Sequence, residues 1–264
     1  MGVVDRHRSA RDMPAAEAAA PAGASTPAAD PAASLPGWYD ARAATLSPGT
    51  AEALLRLRRD ILSGRLPPGA PLALRPLADR YGAPAGALRE ALALLSGAGL
   101  ALPDGARDFR VAPASRADLV DVAQSRRRLE TMALALSIRR GDALWRRQVG
   151  RTLRALAEAA ARADAEGPVG DDWEARHCSF HFALISACGS PALLGFCTQL
   201  HDRFDRYRRL AATSMATTAA GGADHEAIAN AALGGAVAHA VALLDRHIAQ
   251  MAALVLGSYV ARTG

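Results

Sequence analysis

Two histidines four residues apart, in the run His177-Cys178-Ser179-Phe180-His181, carry the clearest chemical pattern in this sequence. On a helix that spacing puts both imidazoles on one face, one turn apart. One helix can present two nitrogen ligands to a single metal ion in this way. Phe180, Leu184, Ile185 and Cys188 follow in phase, so the stripe that carries the imidazoles is expected to face a core or a cavity. Taken alone, the pair reads better as two ordinary core or surface histidines. Two others bear on the choice: His225 follows Asp224, an expected helix N-cap, and His247 lies on the last long apolar stretch. His201 and His239 have no partner at helical ligand spacing. Glu174, one turn before His177, is the nearest candidate for a catalytic base and reads as a solvated helix residue.

The elements that must position these residues read as helices from Ser115 onward. Ser115-Arg116-Ala117-Asp118 is an N-cap with an acid at the third position. Leu119, Val122, Leu129, Met132 and Leu136 line one side of the helix that follows. Gly141-Asp142 separates it from a helix carrying Leu144, Val149, Leu153 and Leu156. Asp171-Asp172 is expected to cap the helix of His177 and His181, and Ser190-Pro191 the next. The stretch from Thr213 to Ala223 reads as a loop, with Asp224 starting a short helix. Gly234-Gly235 breaks the chain before the last long helix.

Composition sets the limits. The 264 residues suffice for two ordinary domains, and half are hydrophobic, so a sizeable core is available. The net charge of +5 is compatible with a nucleic acid or an acidic ligand, and all 31 basic residues are arginine. Cys178, Cys188 and Cys197 are odd in number and form no CxxC pair, the pattern of thiols in a reducing cytoplasm. The N-terminus has no apolar signal segment, and no uncharged apolar run reaches the length of a membrane span. The nearest, Ala249 to Val260, is short and amphipathic.

Residues 1–46 are rich in Ala and Pro and are expected to form a disordered arm. Arg6, Arg8 and Arg11 lie there, as a solvated tail or as phosphate contacts. Ser47-Pro48 then opens a helix with the apolar stripe Leu54, Leu57 and Ile61, ended by Gly64. Pro76 opens a short second helix, Leu77 to Tyr81, closed by Gly82. Pro84 opens a third, in which Leu88, Leu92 and Leu95 share a face. Residues 100–102 and 109–111 read as two strands around the turn Pro103-Asp104-Gly105. Three helices followed by a hairpin is the order of a winged helix-turn-helix, whose third helix enters the DNA major groove.

Residues 54–111 resemble the N-terminal domain of GntR-family transcription regulators. The resemblance rests on the Gly64-Arg65-Leu66-Pro67-Pro68-Gly69 turn, Leu77-Ala78, Leu88-Arg89-Glu90-Ala91-Leu92 and Gly99-Leu100. Departures fall where the family reads DNA. Its recognition helix usually begins Ser-Arg-Thr-Pro-Val-Arg, and this chain has Pro84-Ala85-Gly86-Ala87-Leu88-Arg89. Leu74 replaces a usual glutamate and Asp108 a usual glycine. The resemblance therefore carries over Arg75, Arg89 and Arg107 as DNA contacts.

After residue 115 the layout resembles the effector-binding domain of the FadR-like (FCD) subfamily, an antiparallel helical bundle. Arg126-Arg127-Arg128-Leu129-Glu130, Phe180-His181 with a leucine three residues on, His225-Glu226-Ala227-Ile228 and the distant His247 carry the match. In that subfamily an aspartate and three histidines surround a metal ion. The matching positions here are His177, His181, His225 and His247, with His177 where the aspartate is expected. Four imidazoles favour zinc or nickel over manganese or magnesium. The resemblance also implies a small carboxylate effector, with Arg126 as the pocket arginine and Arg206 as a second candidate.

The expected architecture is mainly α: a disordered arm at 1–46, a winged helix-turn-helix at 47–113 and an antiparallel helical bundle at 114–264. The expected function is that of a cytoplasmic bacterial transcription regulator, at the nucleoid when bound to DNA. Its partners would be a double-stranded operator, a carboxylate effector and a second copy of itself, with no membrane. Two other functions remain open at this point. One is a metal-dependent enzyme on a helical bundle, although four histidines fill a four-coordinate ion and leave no position for an activated water. The other is a regulator whose altered recognition helix has lost sequence-specific DNA binding and which acts through protein partners.

Overall fold

The computed structural model describes residues 44–105, 108–166, 170–211 and 214–263. The expected arm lies outside the described residues up to position 43.

The first unit begins with α1 (Pro48–Leu62). Ser47 Oγ caps it by accepting from the Thr50 amide at 3.2 Å, and Pro48 sits at the first helical position. Strand β1 (Pro71–Leu72) follows the proline turn, then α2 (Leu74–Tyr81) and α3 (Ala85–Gly97). Helix α2 starts three residues before its expected first residue, Leu77, because Pro76 is tolerated within a first turn that needs no amide donor. Gly82 closes it in the left-handed conformation, at φ 62°. Strands β2 (Ala101–Asp104) and β3 (Asp108–Val111) pair antiparallel, Leu102 opposite Arg110. The sheet has a third member that the sequence does not announce: β1 pairs with β3, Leu72 opposite Phe109, in the order β1-β3-β2. Leu54, Leu57, Leu72, Leu88, Leu92, Leu95 and Leu100 form its core and are fully enclosed.

The second unit is helical: α4 (Arg116–Arg140), α5 (Ala143–Glu166), α6 (Asp171–Ile185), α7 (Pro191–Leu210), α8 (Ser214–Leu233) and α9 (Val237–Thr263). Helix α4 packs along α9 and α7, and α5 packs along α6 and α8. Ser115, Asp142 and Ser190 cap α4, α5 and α7 through their side-chain oxygens. Phe180, Leu184, Trp145, Val149, Ile228, Leu244 and Ile248 fill the centre.

Three expectations are corrected. The N-cap of α6 is Gly170 rather than Asp171 or Asp172. The described part of the expected loop, residues 214–223, is the first half of α8. Alanine dominates that stretch and has the highest helix propensity, while docking of Ile228, Ala229 and Ala232 offsets the cost of Gly221 and Gly222. Asp224 is consequently an interior residue of a helix rather than its cap.

Helix α9 is long and apolar enough from Val237 to Val260 to cross a membrane by length and composition alone. Core helices of water-soluble proteins share that property. Asp245, Arg246 and His247 occupy its middle, and it packs against α4 and α8.

The two units meet along α7. Arg58 of α1 bonds Asp202, and Arg206 donates to the carbonyls of Ala112 at 2.7 Å and Pro113 at 3.1 Å. Tyr207 Oη accepts from the Ser115 amide at 2.9 Å and donates to Asp118 at 2.8 Å.

Candidate metal and effector centre

Helix α6 brings His177 and His181 to one face, their Nε2 atoms 3.1 Å apart. Helix α8 adds His225 and α9 adds His247. One candidate ligand atom from each of the four lies within 4.8 Å of all the others. Phe180, on the stripe between the two α6 histidines, meets His181 and His225 edge-on, with ring centroids 5.7 and 5.3 Å away. Trp173 stacks on His177 at 4.7 Å and 11°. Aromatic rings thus wall the imidazoles on two sides.

Burial pushes the pKa of all four imidazoles down. The neighbouring rings add to the effect: His225 acts on His177, His177 on His181, and His247 on His225. For His247, Asp224 opposes the shift, its Oδ2 standing 3.3 Å from His247 Nδ1. The imidazoles are therefore held neutral, the form that binds metal. His177 Nδ1, His181 Nδ1 and His225 Nε2 are buried without a hydrogen-bond partner. Four nitrogens at about 2.0–2.1 Å from a tetrahedral zinc lie roughly 3.3 Å apart. The α6 pair already stands near that spacing, and the wider pairs, all within 4.8 Å, would have to close onto the ion. The residues present fit a divalent metal that accepts nitrogen donors.

A cavity of about 20 Å³ adjoins the imidazoles, lined by Arg126, His181, His201, Phe204, Arg208 and His247 among others. It has room for about one water-sized group. Arg126 is 4 % exposed and forks onto Glu130, with Nε–Oε1 at 2.6 Å and Nη2–Oε2 at 3.2 Å. It also donates to His201 Nδ1 at 3.1 Å, which places the His201 proton on Nε2.

Arg206, the second expected pocket arginine, does not line this cavity. Its helical phase turns it toward the linker carbonyls of Ala112 and Pro113. Arg208, two residues on, lines the cavity instead, bonded to Glu174 and Asp205. Glu174 is therefore a buried ion-pair member, not the solvated residue its position suggested. Sequence reading missed His201, Asp205 and Arg208. Their spacing of four and seven along α7, in phase with Phe204, was the available signal. His239 is exposed, away from the cluster. Cys178, Cys188 and Cys197 are free thiols, and burial pushes Cys197 up to about 12.

In the first unit Arg89 is exposed on α3, flanking the buried stripe of Leu88 and Leu92, and Arg75 is exposed on α2. Neither has a hydrogen-bond or ion-pair partner among the described residues. Ala85 and Gly86 are exposed at the start of α3. Arg107 lies outside the described residues.

Comparison with known proteins agrees with this geometry. Residues 50–107 match the family model for bacterial regulatory proteins of the gntR family, and residues 121–250 match the FCD domain. A relative from Paraburkholderia xenovorans, the uncharacterized HTH-type transcriptional regulator BphR, is 37% identical over 195 residues, 73% of this chain and 79% of the relative. The HTH-type transcriptional repressor GlaR of Escherichia coli is 35% identical over 152 residues, 58% of this chain and 69% of the relative. Among solved structures, E. coli McbR/YncC aligns over 81% of this chain and all of its own, with a TM-score of 0.69 at 20% identity, a likeness of fold.

Proposed function

The chain belongs to the GntR family and is a DNA-binding transcription regulator with an FCD domain, and we propose that its helical unit senses a small carboxylate through a divalent metal ion held by His177, His181, His225 and His247. The convergence of these four buried, neutral imidazoles beside a cavity carrying Arg126 supports that reading. When bound, the ion supplies fixed positive charge that draws an anion inward. Arg126 receives the carboxylate with its planar fork, exchanging part of its hold on Glu130. Phe204 and Trp173 keep the site dry. The cavity takes about one water-sized group as it stands, so a larger effector must part the helices that line it. Zinc or nickel suits the all-nitrogen set better than manganese or magnesium.

Coupling to DNA runs along α7. His201, Phe204, Asp205 and Arg208 face the cavity, while Asp202 and Arg206 hold α1 and the linker. Movement of α7 on effector binding shifts the first unit as a body. On DNA, Arg89 enters the major groove with α3, and Arg75 and Arg107 bind the backbone or its edges. One winged helix spans few base pairs, so the active species is a homodimer on a two-fold site. The apolar groove between α4 and α9, lined by Leu119, Val120, Ala252 and Leu256 with Val120 exposed, offers a surface for it.

The test combines metal analysis of the purified protein with an electrophoretic shift assay on its own upstream region, at fixed salt, with and without a panel of carboxylates. One metal per chain and a carboxylate-dependent change in the shift are expected. No metal, or a shift indifferent to every carboxylate, overturns the reading. Binding no tighter than to random DNA would favour the regulator that works through protein partners.

A further inference from the structure

The four imidazoles bring no negative charge to a divalent ion, and the carboxylates around them are otherwise committed. Glu130 is forked by Arg126. Asp205 holds Arg208 and Arg209, and Glu174 holds Arg208. Asp224 differs from these three in meeting an imidazole, its Oδ2 standing 3.3 Å from His247 Nδ1. The pairing spans two helices, from one turn of α8 to the middle of α9, across 23 positions. His247 is 3 % exposed, whereas the Asp224 side chain is one-third exposed, so the carboxylate sits at the rim with the imidazole beneath it.

Resting on the metal reading above, we infer that Asp224 is a positioning residue for the metal site: it holds His247 through Nδ1 and brings negative charge to a cluster of four neutral imidazoles. A histidine that donates Nδ1–H to a carboxylate is locked in the tautomer whose Nε2 lone pair is free, and its basicity rises. The other three imidazoles each retain a buried nitrogen without a partner, so none of them shows such a support on that atom. Helical continuity of α8 through Asp224 and His225 makes the arrangement possible. Had Asp224 capped a short helix, its carboxylate would have bonded its own backbone amides.

The test uses the full-length protein stripped of metal and titrated with cobalt(II), whose visible absorption reports the ligand field. Wild type, Asp224→Asn and Asp224→Glu are compared for cobalt affinity by chelator competition, for stoichiometry and for the absorption spectrum. Far-UV circular dichroism checks that helix content is equal. The expected result is one cobalt per chain in each, with affinity lowered about 10–100-fold and a changed spectrum in Asp224→Asn. Asp224→Glu restores both to near wild type. Wild-type affinity and spectrum in Asp224→Asn would overturn the role of Asp224 while leaving the metal site standing. Failure of wild type itself to bind cobalt would overturn the metal reading and this inference together.

Discussion

Arg58 and Asp202, 144 positions apart in the chain, form a two-pronged ion pair that joins the first helix of the DNA-binding unit to the helix lining the cavity beside the histidine cluster. Asp202 is fully enclosed, and Arg58 Nε reaches its Oδ2 at 2.7 Å. The neighbouring residue, His201, faces the cavity and bonds Arg126. Adjacent residues of one helix thus serve the two units. Removing Arg58 leaves a buried carboxylate without its forked partner, at a cost of about 3 kcal/mol. Arg58→Ala is expected to uncouple the units: calorimetry should resolve two unfolding transitions, and the effector should no longer alter DNA affinity. A single transition with the effector response intact would refute this linkage.

Metal choice should follow position 177. Apo-protein offered equal zinc and manganese is expected to take zinc, because imidazole suits zinc and carboxylate suits manganese. His177→Asp should raise manganese occupancy, and His181→Ala should abolish binding. Elemental analysis decides the matter, and manganese prevailing in the wild type would count against the four-nitrogen site.

Acid should destabilise the apo-protein through its buried imidazoles. Burial lowers the pKa of His177, His181, His201, His225 and His247 in the folded state. The unfolded chain takes up protons first, from about pH 6.5 downward. Their contribution is complete above that value and is lost as pH falls toward the folded-state values, by about 1.4 kcal/mol per pH unit for each histidine. Denaturant titrations at about pH 8 and about pH 5 should show the drop. Saturating zinc should shift its onset to lower pH, since the metal competes with protons for the same nitrogens. Equal stability at both pH values would exclude the neutral cluster.

Arg89 should set operator preference. A bidentate contact to guanine is worth about 1–3 kcal/mol of discrimination. Arg89→Ala is expected to bring operator affinity close to that for random DNA while leaving the fold intact, since the side chain is exposed. Selection from random sequence, run on both proteins, makes the comparison. An unchanged sharp motif in the variant would assign recognition elsewhere.

Arg126 should govern the effector response without governing the metal. Removing it alone would strand Glu130, which is 3 % exposed, so the informative variant combines Arg126→Met with Glu130→Gln. Metal content is expected to persist while carboxylates cease to alter DNA binding. A response of wild-type size in that variant would remove Arg126 from the pocket chemistry.

Local pattern was enough to reveal much of this molecule. Ser47-Pro48, Gly82, Ser115, Asp142, Ser190 and Gly235 mark helix ends because capping and left-handed turns depend on a few neighbouring atoms. The apolar stripes of α1 and α3 point inward as their periodicity requires. The His177/His181 pair was legible for the same reason: both residues lie on one helix. Tertiary structure decided what depends on how separate helices pack. It brought His225 and His247 to the α6 pair, and it turned Arg206 to the linker while Arg208 faced the cavity. It also buried Glu174 against Arg208, although nothing local distinguishes that glutamate from a solvated one. The stretch 214–223 became helix because packing of the second half of α8 outweighs two glycines, and that continuity alone sets Asp224 beside His247. Spacing along one helix is fixed by its own geometry, whereas distances between helices are set by the side chains that fill the space between them.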